Sequence, residues 1–231
     1  LSWTQISTEA RSSLATQIAL HAAKLGCFDS AIDPHRPWVI TGHQVEFYHA
    51  GVWAKVVAAD ALARQTGAIP IDLLVDHDQL DHLGFGVPVQ GSPWRIARVD
   101  WPPHQVPNHA LDALSAPDLP AFETWDATLA GYPFAQSDAL AIVLSSLRPH
   151  QPEPYVDWMS RARHRLESTL GIQAHHVTTS ALCESRAWHL FVVEWIRHAP
   201  AWSDCYNQQL AVYRHHAGIH NPSQPMPDLH R

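Results

Sequence analysis

The sequence predicts an α/β fold: a three-layer, Rossmann-like (nucleotidyltransferase-like) domain with a mostly parallel sheet and a helical insertion at about residues 119–170. Two short runs, residues 38–41 and 69–75, are almost continuously apolar, which is typical of parallel strands buried on both faces. A pattern with helical spacing at residues 49–65 lies between them. Together they predict a βαβ unit with a right-handed crossover, whose two strand ends meet at one edge of the sheet.

The remaining elements follow in chain order. A first helix is predicted at residues 7–25, where Ser7 can cap the amino end and Gly26 can end the helix. Further strands are predicted at 94–100 and 173–179, with irregular structure at 101–120, a stretch that holds five prolines. Helices are predicted at 119–129, 134–147, 155–170, 186–198 and 202–216, with Pro200 separating the last two.

Composition narrows the class of protein. The 231 residues are 46% hydrophobic and 16% charged, as in a globular protein, and we expect one domain over residues 1–231. A net charge of -7 argues against a nucleic-acid partner. Three isolated cysteines indicate reduced thiols in the cytoplasm, and no apolar run reaches the ~20 residues of a membrane span, so no membrane partner is expected. The start at Leu1 and the proline-rich end predict a fragment truncated at both ends.

The first candidate site segment is Thr41-Gly42-His43-Gln44, at the end of the first predicted strand. Gly42 would let the backbone turn sharply and let a ligand approach closely. The helix that follows offers free backbone N–H groups to an anion. The alternative is a tight turn in which His43 and Gln44 only cap that helix.

The start of this helix carries a second set of candidates. His49-Ala50-Gly51 resembles the beginning of the His-x-Gly-His signature of nucleotidyl-transfer enzymes, although Val52 replaces the second histidine. In that signature the histidines stabilise charge on the phosphates during adenylyl transfer. We expect His43 and His49 to stabilise developing negative charge here, and Gly51 to belong to the loop that cradles the ligand. Lys55, about one turn further, could face the same phosphates or be an ordinary solvated lysine.

The second candidate segment follows the second predicted strand, where five ionisable groups occur within seven residues: Asp76, His77, Asp78, Asp81 and His82. Carboxylates and imidazoles so close together suit a general acid/base pair or a divalent metal. The spacing also invites comparison with the His-x-His-x-Asp-His pattern of metallo-hydrolases, but Gln79 replaces one histidine. Asp81 and His82 also fit as plain loop residues. A metal, if bound, would be held by Asp76, His77 and Asp78.

Over residues 38–80 the chain resembles the cysteine-adding ligases of bacillithiol biosynthesis (BshC type), which have Thr-Gly-x-Gln after one strand and Asp-His-Asp after the next. The resemblance implies a Rossmann-type nucleotidyltransferase core and the addition of cysteine to a glucosaminyl-malate acceptor. It also implies an active site lined by Thr41, Gly42, Gln44, Asp76, His77 and Asp78. The chain departs from the family at His43, usually Gln, and at His49-Ala50-Gly51, usually Gly-Gly-Pro.

A second likeness extends further along the chain. Uncharacterised bacterial proteins related to that family are similar in their Thr-Gly-His-Gln loop, their His-x-Gly step and a later stretch, here Tyr206-Asn207, Tyr213-Arg214, Asn221-Pro222 and residues 225–229. Asn207 and Arg214 lie on one predicted helix, where they could share a face and reach the cleft, so they are candidate substrate-binding residues. A surface salt bridge is the alternative role for Arg214.

Three functions remain open on the sequence alone. The first is a ligase or nucleotidyltransferase-like enzyme acting on a small polar substrate. The second is a binding module that kept the pocket without the chemistry, and the third is a metal-dependent hydrolase that uses residues 76–82. A nucleotide and a divalent metal are the candidate cofactors.

Ser180 and Ser185 could mark a second anion site at a helix start, although helix capping accounts for both.

Overall fold

The computed structural model of this chain describes residues 3–27, 32–47, 50–79, 84–89, 93, 95–100, 109–132, 137–224 and 226–230. The chain forms two compact units, one made of residues 11–183 and the other of residues 1–10 with 184–231. Within the described residues, no helix is both long and apolar enough to cross a membrane.

The elements are helices and short strands. In chain order they are α1 (Trp3–Leu25), β1 (Trp38–Gln44), α2 (Ala50–Thr66), β2 (Ile69–Val75), β3 (Gly84–Val89), β4 (Arg95–Asp100), α3 (Leu119–Ala130), α4 (Asp138–Leu147), α5 (Tyr155–Thr169), β5 (His175–Thr178), α6 (Thr179–Cys183), α7 (Arg186–Arg197) and α8 (Ala199–His216). A 3₁₀ turn, Leu111–Ala113, precedes α3.

The central sheet contains β1, β2 and β5 in that order, and both pairings are parallel. Gln44 at the end of β1 lies opposite Val75 at the end of β2, so the two carboxyl ends are level. The βαβ unit β1–α2–β2 and the α/β class predicted from the sequence are therefore confirmed. Three strands are few for a Rossmann-like domain, so the fold that the sheet defines is the broader α/β class.

The strand predicted at residues 94–100 is present as β4, with Trp94 outside the described residues, but it does not join the parallel sheet. It pairs antiparallel with β3, a strand that the sequence analysis did not predict. The physical reason is its alternation: Val99 is buried, whereas Ile96 is 80% exposed. A strand with one solvent-exposed face suits an antiparallel ribbon and not the interior of a parallel sheet.

Several predicted element ends differ from those observed. Helix α1 begins at Trp3, so Ser7 lies inside the helix and does not cap it. Strand β1 continues through Gly42 to Gln44, so Gly42 does not end the strand. Pro200 lies in the first turn of α8, where a missing N–H costs little, and the break falls at His198. The start of the helix predicted from residue 134 lies outside the described residues.

The two faces of the parallel sheet have separate hydrophobic clusters. Ile71 and Val177 pack with Leu14 and Ile18 of α1. On the opposite face Leu74 packs in a larger cluster with side chains of α3, α4 and α5, among them Phe122, Leu147 and Met159. Strand side chains alternate between faces, so α1 covers one side of the sheet and α5 the other. This packing fixes the strand ends on which the candidate site depends.

Candidate functional site

The two predicted site segments meet at the carboxyl edge of the sheet. The amide Nε2 of Gln44, the last residue of β1, donates a hydrogen bond to Oδ2 of Asp78 at 3.0 Å. Backbone contacts hold the segment that carries Asp78: the N–H groups of Leu111 and Asp112 donate to the carbonyl groups of Asp78 and Asp76 at 2.8 and 3.0 Å. The 3₁₀ turn therefore fixes the backbone of both aspartates.

Asp76 and His77 are joined through a third residue, Thr179. The Thr179 hydroxyl donates to Oδ1 of Asp76 at 2.7 Å, and its Oγ1 lies 2.9 Å from Nδ1 of His77. The same Asp76 oxygen accepts the N–H of Ser180 at 3.0 Å. Asp76 is only 4% exposed, whereas the side chain of His77 is 63% exposed. The edge of the sheet thus combines a buried carboxylate, a hydroxyl and a solvent-accessible imidazole.

Sequence reasoning missed Thr179, although a signal for it existed. Thr179 directly follows β5, and the carboxyl ends of parallel strands meet at the same edge of a sheet. A polar residue after the third parallel strand should therefore lie beside residues that follow the second. Ser185 has the capping role that the alternative expected, since its hydroxyl accepts from the N–H of Trp188 at 3.1 Å. Ser180 lies inside α6, and its backbone N–H donates to Asp76.

Alternation along β1 divides the segment Thr41–Gln44 between the two faces of the sheet. Thr41 lies opposite Asp72, and His43 lies opposite Leu74, on the face that α5 covers; Gly42 and Gln44 belong to the other face. Gly42 has a packing role that was not predicted. A Cβ at this position would lie 2.9 Å from the carbonyl oxygen of Leu73, closer than real Cβ contacts allow. The glycine therefore permits close approach of two strands and does not form a turn.

The predicted phosphate-binding helix start is only partly described. His49 lies outside the described residues, as do Asp81 and His82. Helix α2 begins at Ala50, six residues after Gln44, and Gly51 and Lys55 are exposed in its first two turns. Their parts in ligand binding stay predictions.

Asn207 and Arg214 both hold the carboxyl-terminal segment of the smaller unit. Asn207 exchanges two hydrogen bonds with the backbone of Leu229, at 2.9 and 2.8 Å. Arg214 donates to the carbonyl groups of Pro222, Gln224 and Met226 and pairs with Asp228 at 2.7 Å. The salt-bridging alternative for Arg214 is thus present in the structure, and substrate binding by either residue stays a prediction.

A second polar cluster, which the sequence analysis did not single out, lies inside the larger unit. It consists of Asp72 on β2, His176 on β5, and Arg163 and Glu167 on α5, all nearly or fully buried. Arg163 donates to Asp72 and lies 3.5 Å from Glu167, and Nε2 of His176 lies 2.6 Å from Oε2 of Glu167. Asp72 and His176 are register partners on neighbouring strands, which explains why α5 meets both.

Within this cluster, Glu167 and His176 each stabilise the charged form of the other. Burial alone would raise the pKa of Glu167, but the positive charge and hydrogen bond of His176 outweigh burial and lower that pKa. In the same way burial would lower the pKa of His176, but Glu167 raises it. Glu167 is therefore ionised, and His176 keeps its proton to a higher pH than a free histidine does.

This cluster also has the spacing of a metal site. One ligand atom each from Asp72, Glu167 and His176 lies within 4.8 Å of the others. Arg163, however, already ion-pairs with both carboxylates. Two carboxylates are balanced by one guanidinium and one imidazolium, so the charge does not call for a divalent ion. An acidic residue in the middle of an otherwise apolar strand, Asp72, was the sequence signal for this network.

Cys183 is the last residue of α6, the helix that begins at Thr179. Burial, and then the negative charge of Asp76, raise the pKa of the thiol. A thiol with a raised pKa is a poor nucleophile at neutral pH. The chemistry available at this edge is therefore acid–base chemistry by the imidazole and the carboxylates.

These features define an α/β protein with a polar cluster at the carboxyl edge of a short parallel sheet. Comparison with protein-family models, with curated proteins and with solved structures found no match to the chain.

Proposed function

We propose that this protein is an enzyme of the cysteine-adding ligase type, with a Rossmann-like nucleotidyltransferase core, that acts on a small polar substrate at the carboxyl edge of β1, β2 and β5. The observation that carries the proposal is the meeting of Gln44 with Asp78, beside the exposed imidazole of His77 and the buried Asp76. Ligands of parallel α/β sheets bind at this edge.

The groups at the edge match the demands of a ligase. A carboxylate must be activated, for example by a nucleoside triphosphate, before an amine can attack it, and the amine must lose a proton to a base. His77 is the base with access to solvent, and Asp76 stabilises the imidazolium that forms. His43 and His49 would stabilise charge on the phosphates, together with Gly51, Lys55 and the start of α2. Gln44 and Asp78 would orient the substrate.

Nucleotide binding is the first test. Thermal unfolding is measured with and without ATP and Mg²⁺, and a nucleotide at 100 times its Kd should stabilise the folded chain by about 2.7 kcal/mol. His43→Ala and His49→Ala should reduce this stabilisation, whereas His35→Ala, at an exposed histidine between α1 and β1, should not. If neither a nucleotide nor a metal shifts the unfolding temperature, the proposal is wrong.

Turnover separates the enzyme from a binding module. Release of pyrophosphate from ATP in the presence of cysteine and an amino-sugar acceptor should occur with the wild-type chain and fall at least about 100-fold in His77→Gln, the usual contribution of a general base. Nucleotide stabilisation without any turnover would instead favour the binding module.

A metal-dependent hydrolase is the second candidate, because Asp76, His77 and Asp78 place two carboxylates and an imidazole on adjacent residues of one edge. The Nδ1 atom of His77 is engaged by Thr179, which leaves only Nε2 for a metal. Tight, stoichiometric binding of Zn²⁺ or Mn²⁺ that is lost in His77→Ala would favour the hydrolase over the ligase.

A further inference from the structure

Thr179 is the residue through which the buried carboxylate and the exposed imidazole of the site communicate. Its Oγ1 atom lies within hydrogen-bond distance of Oδ1 of Asp76, at 2.7 Å, and of Nδ1 of His77, at 2.9 Å. The backbone N–H of Asp76 points to the same hydroxyl oxygen at 3.4 Å. No other described residue contacts both side chains in this way.

The protons in this chain of contacts can be assigned from chemistry. A threonine hydroxyl has one proton to donate and a carboxylate oxygen can only accept, so the proton between Thr179 and Asp76 belongs to Thr179. Its oxygen must then accept from Nδ1 of His77. The reverse arrangement would leave two oxygen atoms 2.7 Å apart with no proton between them. Neutral His77 therefore carries its proton on Nδ1, and Nε2 holds the free electron pair.

Helix capping does not account for the Thr179 hydroxyl. The first turn of α6 is capped by its neighbours, since Thr178 accepts the N–H of Ala181 at 3.2 Å and Asp76 accepts the N–H of Ser180 at 3.0 Å. The branched side chain of threonine also restricts rotation about χ1, which keeps the hydroxyl directed along this line.

We propose that Thr179 is a positioning residue that fixes the Nδ1–H tautomer of His77 and couples the ring to Asp76, so that Nε2 is the atom that removes the substrate's proton. This inference rests on the proposed function. In the step, the free electron pair of the amine nitrogen forms the new bond to the activated carbonyl carbon. The bond from that carbon to the oxygen of the activating phosphate group breaks, and its electron pair leaves with the phosphate group. The N–H proton of the amine moves to Nε2, and the N–H bonding pair stays on the nitrogen. The positive charge on the ring is then stabilised across Thr179 by the buried carboxylate.

The tautomer can be measured without a substrate. Nitrogen–proton correlation spectra of the histidine rings distinguish protonated from non-protonated nitrogen atoms, and His77→Gln assigns the signal. Above the titration of the ring, the full wild-type chain should show His77 with a proton on Nδ1 and none on Nε2. Thr179→Val keeps the shape and removes the hydroxyl, so the proton should move largely to Nε2, the preference of a free imidazole in water. Thr179→Ser should restore the wild-type spectrum.

The control is Thr178→Val, which removes the neighbouring hydroxyl and should leave the tautomer unchanged. A wild-type ring with its proton on Nε2, or an unchanged spectrum in Thr179→Val, would overturn the inference. The tautomer measurement does not depend on nucleotide binding. If the wild-type ring shows the expected tautomer but ATP does not stabilise the chain, the hydrogen-bond arrangement is supported and the ligase function is rejected.

Discussion

Arg163 has no exposed surface, although its side chain carries a full positive charge. It ion-pairs with Asp72 and Glu167, and its guanidinium carbon lies 5.7 Å from the ring centre of Trp53 on α2. A buried ion pair adds little net stability relative to an apolar core, but removal of one partner leaves the other charge buried without compensation. The single residue therefore decides whether two carboxylates can stay inside the protein.

Arg163→Met should lower the free energy of unfolding by about 3–5 kcal/mol, because Asp72 and Glu167 lose their guanidinium partner. Urea unfolding followed by circular dichroism measures the change. Arg95→Met, at an exposed position of β4, is the matched control and should stay within about 0.5 kcal/mol of wild type. Equal effects of the two substitutions would contradict the structural account of the cluster.

At the scale of elements, the βαβ unit was predictable for two reasons. The strands β1 and β2 are apolar runs, and the apolar residues of α2 recur at helical spacing up to the glycine that ends the helix. The ribbon of β3 and β4 was harder, since Gly84–Val89 contains glycine and proline and its partner is half exposed. Gly42 is another position whose role could not be predicted from the local sequence. A glycine after an apolar run indicates a turn locally, but its role here depends on how closely Leu73 of the neighbouring strand approaches.

Gly42→Ala should destabilise the larger unit by about 1–3 kcal/mol, because the new methyl group would force β1 and β2 apart. Thermal or urea unfolding of the variant measures this loss. Gly86→Ala is the control: its Cβ would lie 3.1 Å from Cγ2 of Ile96, an exposed side chain that can rotate away. If Gly42→Ala is no less stable than Gly86→Ala, the close approach of the two strands is wrong.

At the scale of the whole molecule, the candidate site was predictable as far as neighbouring strands determine it. Residues after β1 and β2 could be brought together from topology alone, and Gln44 and Asp78 are in contact. Thr179, Arg163 and Glu167 come from positions 85 or more residues further along the chain. Their proximity depends on where α5 and β5 pack, which local patterns do not contain. Arg214 and Asn207 show the converse, since their nearest partners are in the adjacent tail.

The pH dependence of stability follows from two buried histidines whose pKa values shift in opposite directions. The pKa of His21 is lowered and that of His176 is raised. Burial, and then the positive charge of His176, lower the pKa of His21 on α1 from 6.5 to about 4; Lys24 acts in the same direction, and Asp157 and Asp76 act against it. The unfolded chain therefore binds a proton at His21 between pH 6.5 and 4 that the folded chain does not bind. This contribution is present above pH 6.5 and is lost as the pH falls towards 4.

His176 and Glu167 act in other pH ranges. The stability from the raised pKa of His176 is complete below pH 6.5 and is lost as the pH rises through that raised value. The stability from the lowered pKa of Glu167 is present above pH 4.5 and is lost as the pH falls through its lowered value. Between pH 4.5 and 6.5 the change assigned to these three groups therefore comes mainly from His21.

The wild-type chain should lose stability on the order of 3 kcal/mol from His21 as the pH falls from 7 to 4. His21→Leu should lose less stability over the same range, because leucine binds no proton. The substitution breaks no hydrogen bond of the buried Nε2 atom, since this atom has no hydrogen-bond partner among the described residues. Urea unfolding at pH 7, 5.5 and 4.5 measures the slope, with exposed His35→Leu as the control that should follow wild type. Parallel slopes for wild type and His21→Leu would mean that His21 has the same pKa in the folded and the unfolded chain, and would contradict the lowering of that pKa by burial.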